Sequence, residues 1–203
     1  MANPREQKYP KYGRFVEAEG ELAAQLRFLA KAVSKDGTRV IMQHIEVEEV
    51  EPAAGENGFP ILRGVSTDGR RMHIVDPLAT SAGAVYGMTA GSWHVVSCSA
   101  KRVQLARLEH PEPFPNWKKV VPSGYPVKES EFEGFSLSMT RLGDTSKALT
   151  ELLRSFPSWT TINLSFLSDL GILPWKVQWY GADKAVVFVA GCRKAIVMPM
   201  ARV

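Results

Sequence analysis

Pro199 limits how this 203-residue chain can finish its fold. It follows two strand-like runs, Ala185-Val186-Val187-Phe188-Val189 and Lys194-Ala195-Ile196-Val197. A proline lacks the N–H that the next rung of a ladder needs, so the last strand must stop there or run along an edge. Met198 and Met200 flank it with soft, adaptable side chains, a composition suited to a peptide-accepting surface. A frayed apolar end has the same composition, and these residues alone favour it.

The rest of the sequence narrows the class. A 45% hydrophobic and 23% charged composition is that of an ordinary globular protein with a real core. The first fourteen residues are polar and basic, so no secretory signal is expected. The longest apolar runs are strand-sized, short of the ~20 residues of a membrane helix. A cytoplasmic protein without a membrane partner is the expectation. Cys98 and Cys192 lie far apart without metal-type spacing and are expected to be buried thiols. A net charge of +4 is compatible with a nucleic-acid partner without demanding one.

Along the chain, a basic leader over 1–13 precedes a short strand, Arg14 to Ala18, and a helix from Glu21 to about Ser34. Leu22, Leu26, Leu29 and Val33 recur at helical spacing as its buried stripe. Arg27, Lys31 and Lys35 fall four apart on the other face. A strand over Arg39 to Val50, a loop over Pro52 to Gly58 and a strand over Phe59 to Ser66 follow. Asp68-Gly69 then marks a two-residue hairpin returning through Arg71 to Asp76. Pro77 to Gly91 carries no helix signal. Trp93 to Ser97 and Arg102 to Leu108 alternate as a hairpin, and His110 to Pro115 is too proline-dense for regular structure. The second half follows a similar plan. A strand spans Glu131 to Met139, and a helix capped by Asp144 or Thr145 buries Leu149, Leu152, Leu153 and Phe156. Thr160 to Leu164 is a strand, Ser165 to Leu170 a short helix closed by Gly171, and three strands run to the end.

No enzyme site is legible. His44, His73, His94 and His110 are scattered without metal-ligand pairing, and there is no nucleophile elbow and no phosphate loop. Asp68 and Asp76 flank a hairpin, where aspartate usually serves the turn. No cofactor, metal or catalytic residue is expected.

Three segments carry a family resemblance. Thr67-Asp68-Gly69-Arg70-Arg71-Met72, Phe114-Pro115-Asn116-Trp117 running to Val120-Val121-Pro122, and Met198-Pro199-Met200-Ala201-Arg202-Val203 occur in that order. They resemble the Thr-Asp-Gly-His-Arg-Leu turn, the aromatic crossover and the Met-Pro-Met-Arg-Leu ending of the bacterial DNA polymerase III beta sliding clamps. Arg70 stands where histidine is usual, Ala201 interrupts the ending, and only the second and third of the family's three domains have counterparts.

The resemblance implies an α+β fold of two DNA-clamp-like domains, 14–110 and 111–203, with antiparallel sheets and helices on one face. It implies a processivity factor that tethers replication or repair proteins through short peptides, of the Gln-Leu-x-Leu-Phe kind. The pocket would comprise Thr67, Gly69, Arg70, Arg71, Met72, Met198, Pro199, Met200 and Arg202. Double-stranded DNA, held without sequence preference, would face Arg27, Lys31, Lys35, Lys147 and Arg154. The residues alone leave those cations equally open as a plain solvated helix face. Six clamp domains per ring imply a head-to-tail homotrimer. A non-encircling peptide adaptor that keeps the pocket and lacks the ring is the alternative. An unrelated small-molecule or hydrolytic domain remains a third possibility, with no site to support it.

Overall fold

The structure, a computed structural model, describes residues 12–51, 61–79, 87–133 and 162–200. Within them one antiparallel sheet of ten strands runs through the molecule in the order β1-β6-β5-β2-β3-β4-β10-β9-β8-β7. The strands are β1 (Tyr12–Glu19), β2 (Ile45–Val50), β3 (Ile61–Thr67), β4 (Arg71–Val75), β5 (Gly91–Cys98), β6 (Arg102–Leu108), β7 (Lys128–Glu133), β8 (Pro174–Trp179), β9 (Val186–Ala190) and β10 (Arg193–Val197). β1 to β6 come from the first half of the chain and β7 to β10 from the second. The halves join where β4 pairs with β10, with Ala195 opposite His73 and Val197 opposite Arg71. β10 lies between β4 and β9, inside the sheet. Pro199 therefore ends the strand rather than marking an edge, and Met198 N–H makes the last bridge, to the Arg70 carbonyl at 2.9 Å.

Alternation gives the two faces different tasks. One face packs under helix α1 (Gly20–Ala30), which buries Leu22, Ala23, Gln25, Leu26, Phe28 and Leu29. Leu26, Ile45, Val75, Leu105, Leu167, Trp175, Val177, Phe188 and Ala195 belong to one core that crosses the β4–β10 joint. Gly64 permits the close approach, because a Cβ there would stand 2.5 Å from the Leu29 Cδ1. On the opposite face a smaller cluster of Val65, Met72, Ile74, Val187 and Ile196 lies under Trp117. Trp117 belongs to the crossover between the halves and donates its indole N–H to Glu48 at 2.9 Å.

Several expectations are corrected. α1 ends at Ala30 rather than near Ser34, where Ala32 N–H and Val33 N–H turn back to Leu29 and Ala30 as tight three-residue bonds. Its last carbonyls are taken by side chains from the sheet. Ser66 Oγ donates to Leu29 O at 2.6 Å, His73 Nδ1 to Phe28 O at 2.6 Å, and Arg71 Nη2 to Lys31 O at 2.6 Å. The span from Arg39 to Val50 is a 3₁₀ turn (Val40–Met42) followed by β2, not one strand. Another 3₁₀ helix, Leu164–Asp169, the third after Val40–Met42 and Trp117–Lys119, begins where a strand was expected to finish. Cys98 is exposed and Cys192 half-buried, so neither is a buried thiol. The 1–13 leader lies outside the described residues except for Tyr12 and Gly13, which open β1. The helix expected over 144–156 and most of the strand expected to run to Met139 lie outside them as well.

Candidate functional site

The turn after β3 is built by its own side chains. Asp68 N–H bonds the Arg71 carbonyl at 3.3 Å, so the central residues are Gly69 and Arg70, one position beyond the Asp68-Gly69 pair that the sequence suggested. Only Gly69, at φ 85°, takes the left-handed region. Asp68 keeps an ordinary backbone and uses its carboxylate instead, accepting from Arg70 N–H at 2.9 Å and Arg71 N–H at 3.0 Å. Thr67 Oγ1 accepts from Gly69 N–H at 3.0 Å and donates to Arg71 O at 2.7 Å. From the side, Arg39 Nη1 donates to Asp68 O at 2.6 Å. The turn is thus held from within and without before any partner arrives.

Beside this turn runs the tail. Ile196 stands opposite Met72, and Met198 follows it on the same face. A groove of about 230 Å³ opens there, lined mainly by Met42, Met72, Trp117, Val120, Ile196 and Met198, with Thr67 and Gly69 at its edge. Drug-sized ligand sites begin near ~300 Å³, so the groove has room for a few apolar side chains. Met198, which lines the groove, is 36% exposed, and Met200 further along the tail is 48% exposed.

The nominated pocket residues therefore divide. Thr67, Gly69, Arg71, Met72 and Met198 meet at the groove. Pro199 is half-buried and Met200 exposed just beyond it, while Arg202 lies outside the described residues. Arg70 is exposed and meets the tail through its backbone carbonyl. Arg71 lines the groove as well, but it shares strand parity with His73 and Val75, and its guanidinium turns to the α1 face. There it pairs with Asp68 at 3.1 Å and with Asp169, donates to Lys31 O, and stacks 4.6 Å above the Phe166 ring. It fastens the two halves together instead of offering a cation to a peptide. Met42, Trp117, Val120 and Ile196 were not nominated. The crossover resemblance could have found Trp117 and Val120; Met42 sits on the unforeseen 3₁₀ turn.

The cations meant for DNA also divide. Arg27 is half-buried on α1 and reaches Ser99 O at 3.4 Å. Lys31 caps the helix and donates to Asp169 O at 2.9 Å; burial and the nearby Arg71 charge hold its ammonium pKa below the ordinary lysine value. Lys35 lies beyond the helix, exposed. The stripe of three cations on one helix is thus corrected to one half-buried helical cation, Arg27, one exposed residue at the helix end, Lys31, and one exposed loop residue, Lys35. Lys147 and Arg154 lie outside the described residues.

Among the described residues no cluster of His, Cys, Asp or Glu is arranged to hold a metal, and no helix is long and apolar enough to cross a membrane. His73 is fully enclosed and stacked on Phe28 at 4.1 Å, and burial drives its pKa down to about 3. Its Nδ1 carries the proton, since its partner there is a carbonyl oxygen that can only accept. His44, against Phe114 on the other face, is lowered to about 4, mainly by burial.

No protein-family model matches this sequence, and no curated protein does. The fold is nevertheless shared with solved bacterial sliding clamps. The Caulobacter crescentus polymerase III beta protein superposes with a TM-score of 0.55 at 14% identity, over 100% of this chain and 68% of that one. A Bartonella birtlesii sliding clamp bound to griselimycin gives 0.56 at 15% identity, over 98% and 70%. The Borrelia burgdorferi beta subunit, in complex with a natural product, gives 0.59 at 12% identity, over 94% and 65%. The chain has the sliding-clamp fold and spans about two thirds of the length of these clamps.

Proposed function

We propose that this protein is a clamp-like tether that holds replication or repair proteins by short apolar peptides in the groove between the Thr67–Met72 turn and Met198. The observation that carries this is the meeting of two sequence-distant motifs around one apolar groove, beneath an aromatic crossover. The binding mode is capture of peptide side chains in a preformed cleft. Two apolar anchors, each worth ~1.5–3 kcal/mol when desolvated, support micromolar affinity after ordering costs. The role is mechanical, with no reaction assigned to any residue. Titrating a labelled Gln-Leu-x-Leu-Phe peptide against the protein tests it: micromolar binding is expected, and the absence of binding at millimolar protein would end this reading.

Double-stranded DNA is the proposed track, and the two edge strands β1 and β7 are the proposed contacts of a head-to-tail trimeric ring. Phe15 on β1, 63% exposed, offers apolar surface at one edge. Light scattering across a wide concentration range is expected to show a trimer. Half-buried Arg27 and exposed Lys31, Lys35 and Lys101 are the proposed DNA contacts on the α1 side, and the joint change of Arg27, Lys31 and Lys35 to glutamate is expected to weaken DNA association and flatten its salt dependence.

A non-encircling adaptor is the second reading. The neutralisation of Arg71 by Asp68 and Asp169 favours it, because it takes one cation away from the proposed DNA-facing wall. A monomer at every concentration, with peptide binding intact, would select it.

A further inference from the structure

A second cavity, of about 310 Å³, opens on the same face as the groove, on the far side of Trp117, which lines both. Its walls include Arg63, Ile74, Asp76, Val121 and Lys194. Arg63 is already committed: its guanidinium forks onto Asp76 Oδ2 at 2.8 Å and 2.5 Å. That pair is neutral, with both bonds on one carboxylate oxygen. Lys194 is different. It stands inside the sheet, directly opposite Ile74 on one side and Val189 on the other, and strand parity with Ile196 turns it to the groove face. It is half-buried and makes no ion pair with a described residue. Arg193, its neighbour, has the opposite strand parity and lies within electrostatic reach of Lys31, yet it also borders this cavity, so a second cation stands beside Lys194.

Lys194 is half-buried between two apolar ladder neighbours and has no ion pair with a described residue, so an incoming carboxylate would supply a counter-ion. The geometry points to Lys194 as an acid-binding subsite: the peptide that seats its apolar anchors at Met198 and Met72 continues over Trp117 and places an aspartate or glutamate in this cavity. This rests on the peptide-tether reading and specifies the partner's chemistry. Met198, Ile196 and Lys194 follow each other at every second position of one strand and its extension. The acid should therefore lie roughly 13 Å from the anchor over Met198, about four residues of extended peptide.

The test is a register scan by fluorescence anisotropy. A labelled Gln-Leu-x-Leu-Phe peptide is extended on either side with neutral residues, carrying a single glutamate, or glutamine as its control, three to six positions from the nearer anchor. One register is expected to bind roughly five- to tenfold more tightly with glutamate than with glutamine, and the difference should shrink with added salt. In Lys194→Met, which keeps the apolar stem, the preference should vanish while the unextended peptide binds within about twofold of its original affinity. If the unextended peptide binds and no register prefers glutamate, or if the preference survives Lys194→Met, the acid subsite is wrong and the groove stands. If the unextended peptide itself fails to bind, the groove fails and takes this inference with it.

Discussion

The two faces of the β4–β10 joint are made from the same few residues, taken alternately, yet they are organised for different ends. Towards α1, Arg71, His73 and Val197 face a continuous core in which the helix carbonyls are paired with sheet side chains. Away from α1, Met72, Ile196 and Met198 face a small cluster under one crossover tryptophan and leave a groove open. The first face uses ion pairs and hydrogen bonds to lock two halves of the chain into one body. The second leaves soft apolar atoms partly uncovered. A period of two along a strand thus separates cohesion from the proposed capture at neighbouring positions, and a substitution one residue along should change which property is lost.

Acidification should produce the largest effect and strike both faces, since each holds one neutral histidine: His73 towards α1 and His44 beneath Phe114. Both native pKa values, about 3 and about 4, lie below the usual 6.5. The unfolded chain therefore takes up protons first as pH falls, and stability is present above 6.5 and lost on the way down. Between pH 6.5 and pH 5 each histidine should cost about 2 kcal/mol, read by urea unfolding at the two pH values. His44→Gln and His73→Gln should each remove about half of that dependence. A pH-independent midpoint would mean that neither ring is held neutral.

Arg71→Ala comes next, with a loss of about 3 kcal/mol in the same unfolding measurement. It leaves Asp169 and the Lys31 carbonyl without their partner and detaches the turn from the second half. Peptide affinity should fall far less if the side chain belongs only to the α1 face. Met198→Glu is the mirror experiment: stability should change by under ~0.5 kcal/mol, because the side chain is partly exposed, while peptide affinity drops at least tenfold. If the two substitutions gave the same pattern of losses, the separation of faces would be false. Gly69→Ala should be the mildest, about 1 kcal/mol of stability from the left-handed backbone, with a small loss of affinity as the groove edge shifts.

Much of this was legible in the residues, and the failures have local causes. The strands announced themselves through β-branched alternation, and Leu22, Leu26 and Leu29 marked the buried stripe of α1 at the right period. Asp68-Gly69 marked the turn to within one residue, because glycine must take the positive φ whichever position the turn adopts. What stayed hidden was the use of long polar side chains. Arg71 and Lys31 look like surface cations in one dimension, and nothing local says that Asp169 and the end of α1 will meet them. The premature end of α1 is likewise a tertiary effect, since the sheet supplies the partners for its last carbonyls. Met42 entered the groove from a segment whose apolar run, Val40 to Met42, reads as strand and forms a 3₁₀ turn.

The methionines supply the most direct test, because they report from both faces in one experiment. With methyl-labelled methionine, adding the Gln-Leu-x-Leu-Phe peptide should shift the Met42, Met72 and Met198 resonances in a saturable way. Met88, buried in the α1-side core, should stay where it is. Silent groove methionines, or a Met88 shift as large as theirs, would contradict the assignment of peptide capture to this face.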